Sequence, residues 1–130
     1  MGQLLPAVHV LVVDDSPELC EAITEVLEGE GAVVTAAGTA ERALDLLQRF
    51  RPDVLLSDLE MPDKDGFWLI GQVRALLPDQ GGLTPAACIT GCTGPEDRAR
   101  VLRAGFQYHI PKPFGMARLL GVVGILALKP

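Results

Sequence analysis

Two short apolar runs constrain the fold of this chain more than any other feature. Val8-His9-Val10-Leu11-Val12-Val13 ends in Asp14-Asp15, and Val54-Leu55-Leu56-Ser57 ends in Asp58. Short, β-branched, leucine-rich runs of this kind read as strands buried on both faces of a parallel sheet. A carboxylate at the last position then lies at the carboxyl end of its strand, where open α/β sheets place their ligands. Three carboxylates at two such ends suit a hard divalent cation, phosphoryl chemistry, or both.

Around these runs the pattern alternates strand with helix. Ser16 is an N-cap and Pro17 fits the first helical position. Leu19, Ala22, Ile23, Val26 and Leu27 follow at helical spacing, with Glu18, Glu21, Glu25 and Glu28 on the other face. Gly29 or Gly31 ends this helix, and residues 32–36 read as a second strand. Thr39 caps a second helix with Ala40, Ala43, Leu44 and Leu47 inward, and Pro52 stops it near Arg51. The spacing predicts a third helix over 66–77, with Phe67, Ile70, Val73 and Leu77 on one face. A fourth strand over 86–89 delivers Thr90, and a fourth helix runs from Pro95 to a C-cap at Gly105. A fifth strand over 107–110 delivers Lys112, and a fifth helix occupies the rest. Its expected inward stripe is Met116, Leu119, Leu120, Val123 and Leu126, which leaves Val122 and Ile125 outward as a candidate partner surface. Five such units with right-handed crossovers give an α/β fold, a parallel sheet with helices on both faces.

The 130 residues read as a single domain over 1–130. Nearly half of the residues are apolar, which argues against a disordered chain. A net charge of −6, with no basic run, argues against direct binding to nucleic acid or to an anionic membrane. No targeting signal or apolar stretch of membrane-spanning length is visible, so a cytoplasmic location is expected. The three cysteines, Cys20, Cys88 and Cys92, have no CxxC spacing and read as reduced thiols, Cys20 and Cys88 as small core residues.

Phosphorylation of a carboxylate needs oxygen ligands for Mg²⁺, a carboxylate left as nucleophile, a point charge for a phosphoryl oxygen and a hydroxyl donor. The strand ends supply each in Asp14-Asp15, Asp58, Thr90 and Lys112. Taken singly, Asp14-Asp15 is a turn pair, Thr90 an ordinary strand-end hydroxyl and Lys112 a solvated lysine. Their recurrence at successive strand ends gives the site reading. Leu11-Val12-Val13-Asp14-Asp15-Ser16, Ser57-Asp58-Leu59-Glu60-Met61-Pro62 with Asp65-Gly66, Ile89-Thr90-Gly91 and Pro111-Lys112-Pro113-Phe114 together resemble the receiver domain of two-component response regulators. The resemblance runs in order over nearly the whole chain.

The resemblance implies a flavodoxin-like (βα)5 fold with strand order 2-1-3-4-5 and a phosphorelay signalling switch. Asp58 would accept a phosphoryl group from a sensor histidine kinase or phosphotransfer protein. Asp15 and Asp58 would bind Mg²⁺ directly, Asp14 mostly through water, and the Glu60 backbone carbonyl would complete the protein ligands. Thr90 and Lys112 would contact the phosphoryl group, and the Lys112-Pro113 bond would be cis. His109 takes the switch position and would turn inward as Thr90 moves. Helix four, strand five and helix five would then carry the change to a partner, an output domain or a second copy. The chain is expected to be no enzyme beyond its own phosphorylation and dephosphorylation.

Other readings stay open. The chain could be the receiver segment of a larger hybrid kinase or multidomain regulator. A metal-dependent aspartyl-phosphate phosphatase would need Glu60 as second acid and a cap domain for which the length leaves no room. A flavin or nucleotide module would need a glycine- or hydroxyl-rich loop where the chain has Asp14-Asp15-Ser16-Pro17. The Glu60 side chain is expected beside the phosphoryl group, either hindering or orienting the hydrolytic water. Gly91 is expected to loosen the loop after Thr90, and Cys92 to lie near the site mouth. Trp68 reads as partly exposed packing, His9 as structural, and His109 as a group whose charge could make switching pH-sensitive.

Overall fold

The computed structural model describes residues 3–91 and 94–128. Strand and helix alternate as β1 (His9–Val13), α1 (Pro17–Gly29), β2 (Val33–Ala37), α2 (Ala40–Phe50), β3 (Val54–Asp58), α3 (Gly66–Ala75), β4 (Ala86–Thr90), α4 (Pro95–Ala104), β5 (Tyr108–Pro111) and α5 (Met116–Leu126), with a 3₁₀ turn at Pro78–Gln80. The strands pair in parallel in the order β2-β1-β3-β4-β5, as the resemblance implies. Among the described residues no helix is long and apolar enough to cross a membrane.

The continuous apolar runs are explained by cover on both sides of the sheet. Leu55 and Leu56 are each fully buried, but in different cores. Leu56 packs with Val10, Val12 and the inner faces of α1 and α5, through Ile23, Leu27, Leu119 and Val123. Leu55 packs with Leu11, Val13 and the inner faces of α2, α3 and α4, through Leu47, Ile70 and Val101. Each fully buried leucine removes enough apolar surface to contribute about 1.5–3 kcal/mol, so both faces of the central strands are held firmly. Ser16, Thr39 and Asp65 cap α1, α2 and α3 by accepting the amides of Leu19, Arg42 and Trp68.

Several boundaries and faces differ from the sequence reading. Strand β2 begins at Val33 because the Ala32 amide donates to Leu27 O, closing α1 after Gly31 at φ +93°. Helix α3 ends at Ala75, before the expected Leu77, since Leu77 precedes Pro78 and is extended (ψ 155°), as proline demands of its predecessor. Leu77 is consequently exposed and Phe67 half-buried; Leu69, Ile70 and Val73 form the inner face. Strand β5 is displaced by one residue and starts at Tyr108. In α5 the buried stripe is Leu119, Val122, Val123 and Leu126. Val122 therefore faces the core and Met116, in the first turn, is exposed, the reverse of the expectation for both.

Two stabilising features had no signal in the reading. Leu5 is buried at 1% exposure, held by amide bonds from Leu5 and Ala7 to Glu30 and Gly31. Arg74 clasps three carbonyls, donating from Nη1 to Gly82 O and Thr84 O and from Nε and Nη2 to Gly105 O. It ties the end of α3 to the segment before β4 and to the α4–β5 turn.

Candidate functional site

Asp14 follows β1 directly and is 4% exposed; Asp58 is the last residue of β3 and is 5% exposed. Strands β1 and β3 are hydrogen-bonded neighbours in register, Val13 opposite Ser57, so the two carboxyl ends lie side by side. One carboxylate oxygen from each of Asp14, Asp15 and Asp58 lies within 4.8 Å of the others. Asp15 is the exposed member of the trio. Backbone amides steady the buried pair. Ser16 N–H donates to Asp14 Oδ1 (2.8 Å) and Glu60 N–H donates to Asp58 Oδ1 (3.3 Å).

Lys112 closes the cluster. Its Nζ stands 3.5 Å from Asp58 Oδ1 and 3.9 Å from Asp14 Oδ2. Strands β4 and β5 set that reach, because Lys112 N–H donates to Thr90 O (2.8 Å) just beyond the paired strands. The Lys112-Pro113 bond is cis. Thr90 ends β4 one residue past Ile89, the register partner of Asp58, and is 1% exposed.

The electrostatics follow from burial. Asp14 is raised above the ordinary aspartate range mainly by loss of water; the Ser16 amide opposes this, the charge of Asp58 adds to it, Lys112 opposes it and Asp15 adds to it. A hard cation set among these oxygens would relieve that crowding, and the all-oxygen donor set fits one.

The family of the chain is decided by comparison. A family model described as the response regulator receiver domain matches residues 10–124. This chain belongs to that family. The receiver domain is 43% identical over 121 residues to an uncharacterised 14.6 kDa protein of Leptolyngbya boryana, covering 93% of this chain and 91% of that one. It is 36% identical over 115 residues to the DNA-binding response regulator MtrA of Mycolicibacterium smegmatis, covering 88% of this chain. It spans only 48% of that regulator, about half its length. Its backbone superposes on the chemotaxis protein CheY4 of Vibrio cholerae with a TM-score of 0.85 at 31% identity, covering 92% of this chain and 98% of that one.

The receiver domain brings Asp14, Asp15, Asp58 and Lys112 into one cluster, with Thr90 at the adjoining strand end. Glu60 lies on the loop after β3, exposed, in the wall of a 480 Å³ cleft that also includes Met61, Phe67 and Arg100. His109 is largely buried at 9% exposure, on β5, two strands from the β3 end that carries Asp58, and in register with Cys88 on β4. Trp68 is half-buried with Lys64 Nζ 5.3 Å from its ring centroid. His9 is structural, bonded through Nε2 to Thr35 Oγ1. Cys20 and Cys88 are buried thiols, and burial pushes the Cys20 thiol up. Cys92 lies outside the described residues.

Two residues of the receiver domain's site escaped a sequence reading. Ser57 is fully buried and its hydroxyl donates to Asp58 O (2.8 Å), fixing the backbone beneath the carboxylate. Gly66 packs so closely on β3 that a Cβ there would lie 2.6 Å from Asp58 O and 2.9 Å from Leu59 Cα. The Asp65-Gly66 pair is visible in the sequence, but its contact with Asp58 depends on the path of the intervening loop.

Proposed function

We propose that this receiver domain is a phosphorelay switch whose phosphoacceptor is Asp58. The supporting observation is the single cluster in which Lys112 Nζ approaches Asp58 Oδ1 at 3.5 Å while Asp14 and Asp15 bring their oxygens within 4.8 Å. An Asp58 oxygen attacks the phosphorus of a phosphohistidine on a sensor kinase or phosphotransfer protein. A P–O bond forms, the P–N bond breaks, and the imidazole nitrogen keeps its electron pair. Asp14, Asp15, Asp58 and the Glu60 carbonyl would hold Mg²⁺, which when bound supplies charge neutralisation at the transferring group. Lys112 places a fixed positive charge on one phosphoryl oxygen, and the Thr90 hydroxyl donates to another.

Movement of Thr90 toward the new phosphoryl group then gives the His109 ring room to shift. That shift biases the surface formed by α4, β5 and α5. The helices differ in how firmly they are held. Val101 is the only buried residue of α4, so little core packing resists a displacement of that helix. The receiver reading also admits a longer regulator, as the half-length match to MtrA suggests.

Incubation with acetyl phosphate and Mg²⁺ tests the proposal by whole-chain mass. One phosphoryl mass gain, stable in acid and lost in alkali, is expected in the unaltered chain and absent from Asp58→Asn. A gain of equal size in Asp58→Asn would overturn it, and rapid turnover of many phosphate esters would favour a phosphatase.

A further inference from the structure

Helix α4 is held more firmly at its end than at its start. Val101 is its single buried residue, and just past its end Arg74 donates from Nε and Nη2 to Gly105 O. Residues 95–98, at the start, are all exposed. Between the two, a cation–π stack joins α4 to α3. The guanidinium carbon of Arg100 lies 4.1 Å from the centre of the Phe67 ring, well inside the range in which a cation is attracted to an aromatic face.

Phe67 is a firm platform for that stack. It follows Gly66, whose amide donates to Leu59 O (2.9 Å) and whose Cα leaves no room for a side chain beside Asp58 O. The start of α3 is therefore seated on the strand end that carries Asp58. Phe67 and Arg100 face the cleft whose wall also includes Glu60 and Asp97. The stack thus connects the phosphoacceptor end of β3 to α4 directly, without passing through β4 or β5.

We propose that Arg100 is a positioning residue. Stacked on Phe67, it holds α4 in the arrangement of the unphosphorylated chain and so sets how readily the Asp58 site takes a phosphoryl group. The inference rests on the switch reading above. Where a phosphoryl group at Asp58 favours a displaced α4, a contact that favours the resting α4 opposes it, because the two equilibria are linked. A single exposed cation–π contact is weak, so the stack adjusts the switch rather than locking it.

The sign of the effect separates this role from plain electrostatics. Arg100 shares its cleft with Glu60, two residues from Asp58. As a charge alone it attracts an anionic phosphoryl group, and its loss would weaken binding. As a positioning residue its loss strengthens binding.

The test is titration of the ¹⁵N-labelled full chain with beryllofluoride, a phosphoryl mimic, in the presence of Mg²⁺. Arg100→Gln and Phe67→Leu should each tighten the apparent affinity about threefold. Before the mimic is added, the α4 amide signals of both variants should already be displaced toward their positions in the mimic-bound unaltered chain. The double variant should gain no more than either single one, since both remove the same contact. Arg100→Lys and Phe67→Tyr, which keep a cation and a ring, should stay close to the unaltered chain. So should Arg103→Gln, the same charge change on α4 outside the cleft.

Unchanged or weaker binding in Arg100→Gln or Phe67→Leu overturns the assignment, as do gains that add in the double variant or an equal gain in Arg103→Gln. Lower thermal stability with the affinity unchanged would make the stack structural only and overturns it too. If the unaltered chain neither binds beryllofluoride nor gains phosphoryl mass from acetyl phosphate, the switch reading fails instead.

Discussion

Asp14 is the residue whose environment says most about the site. It is 4% exposed and raised above the ordinary range chiefly by burial, so the folded chain holds its proton more tightly than the unfolded chain does. That contribution stabilises the fold below the unfolded aspartate value and is lost as pH rises through the folded-state value. At neutral pH the metal-free domain therefore carries a cost that Asp14→Asn removes. Thermal unfolding without metal should show Asp14→Asn melting a few degrees higher, roughly what 1 kcal/mol produces in a domain of this size. The gain that Mg²⁺ gives the unaltered chain should shrink or vanish in the variant. Gly66→Ala tests the backbone support of Asp58. Its Cβ would meet Asp58 O at 2.6 Å, so urea unfolding should report a loss of about 1–3 kcal/mol. Asp14, Asp15, Asp58 and Lys112 were legible because charged side chains at the ends of apolar runs stand out in a sequence. Gly66 and Ser57 were not, because their roles are contacts to backbone, which no side-chain type announces.

At the scale of elements, helix starts were easier to read than helix faces. Ser16 and Thr39 cap the helices that the sequence assigned to them, since a short polar side chain before a periodic run has few other uses. Faces were harder where nearly every position is apolar. In α5, Met116 through Leu126, the two stripes that could face the sheet overlap, and tertiary packing chose Val122 over Met116. Helix α3 shows the same difficulty, because Phe67 and Leu77 fit the periodicity as well as Leu69 does. The choice has a measurable consequence. Leu119→Ala should cost about 2–5 kcal/mol in chemical unfolding, while Ile125→Ala, at a residue 52% exposed, should stay within about 0.5 kcal/mol. Equal losses would mean that α5 is rotated about its axis from the position described.

For the molecule as a whole, the parallel order β2-β1-β3-β4-β5 is what makes four distant segments one site. It sets β1 beside β3 and carries β4 and β5 outward from them, so Asp14, Asp58, Thr90 and Lys112 end on the same edge of the sheet. Glutamates also line α1, at Glu18, Glu21, Glu25 and Glu28. The strongest rival to a built cation site is accordingly a diffuse acidic surface on α1, through Glu21, Glu25 and Glu28. Paramagnetic broadening of backbone amide signals by substoichiometric Mn²⁺, in an ¹⁵N-labelled chain, separates the two most directly. The account predicts that the amides of Asp14, Asp15, Ser16 and Glu60 broaden first and that Asp58→Asn weakens the effect. Broadening centred on the glutamates of α1, and unchanged in Asp58→Asn, would contradict it.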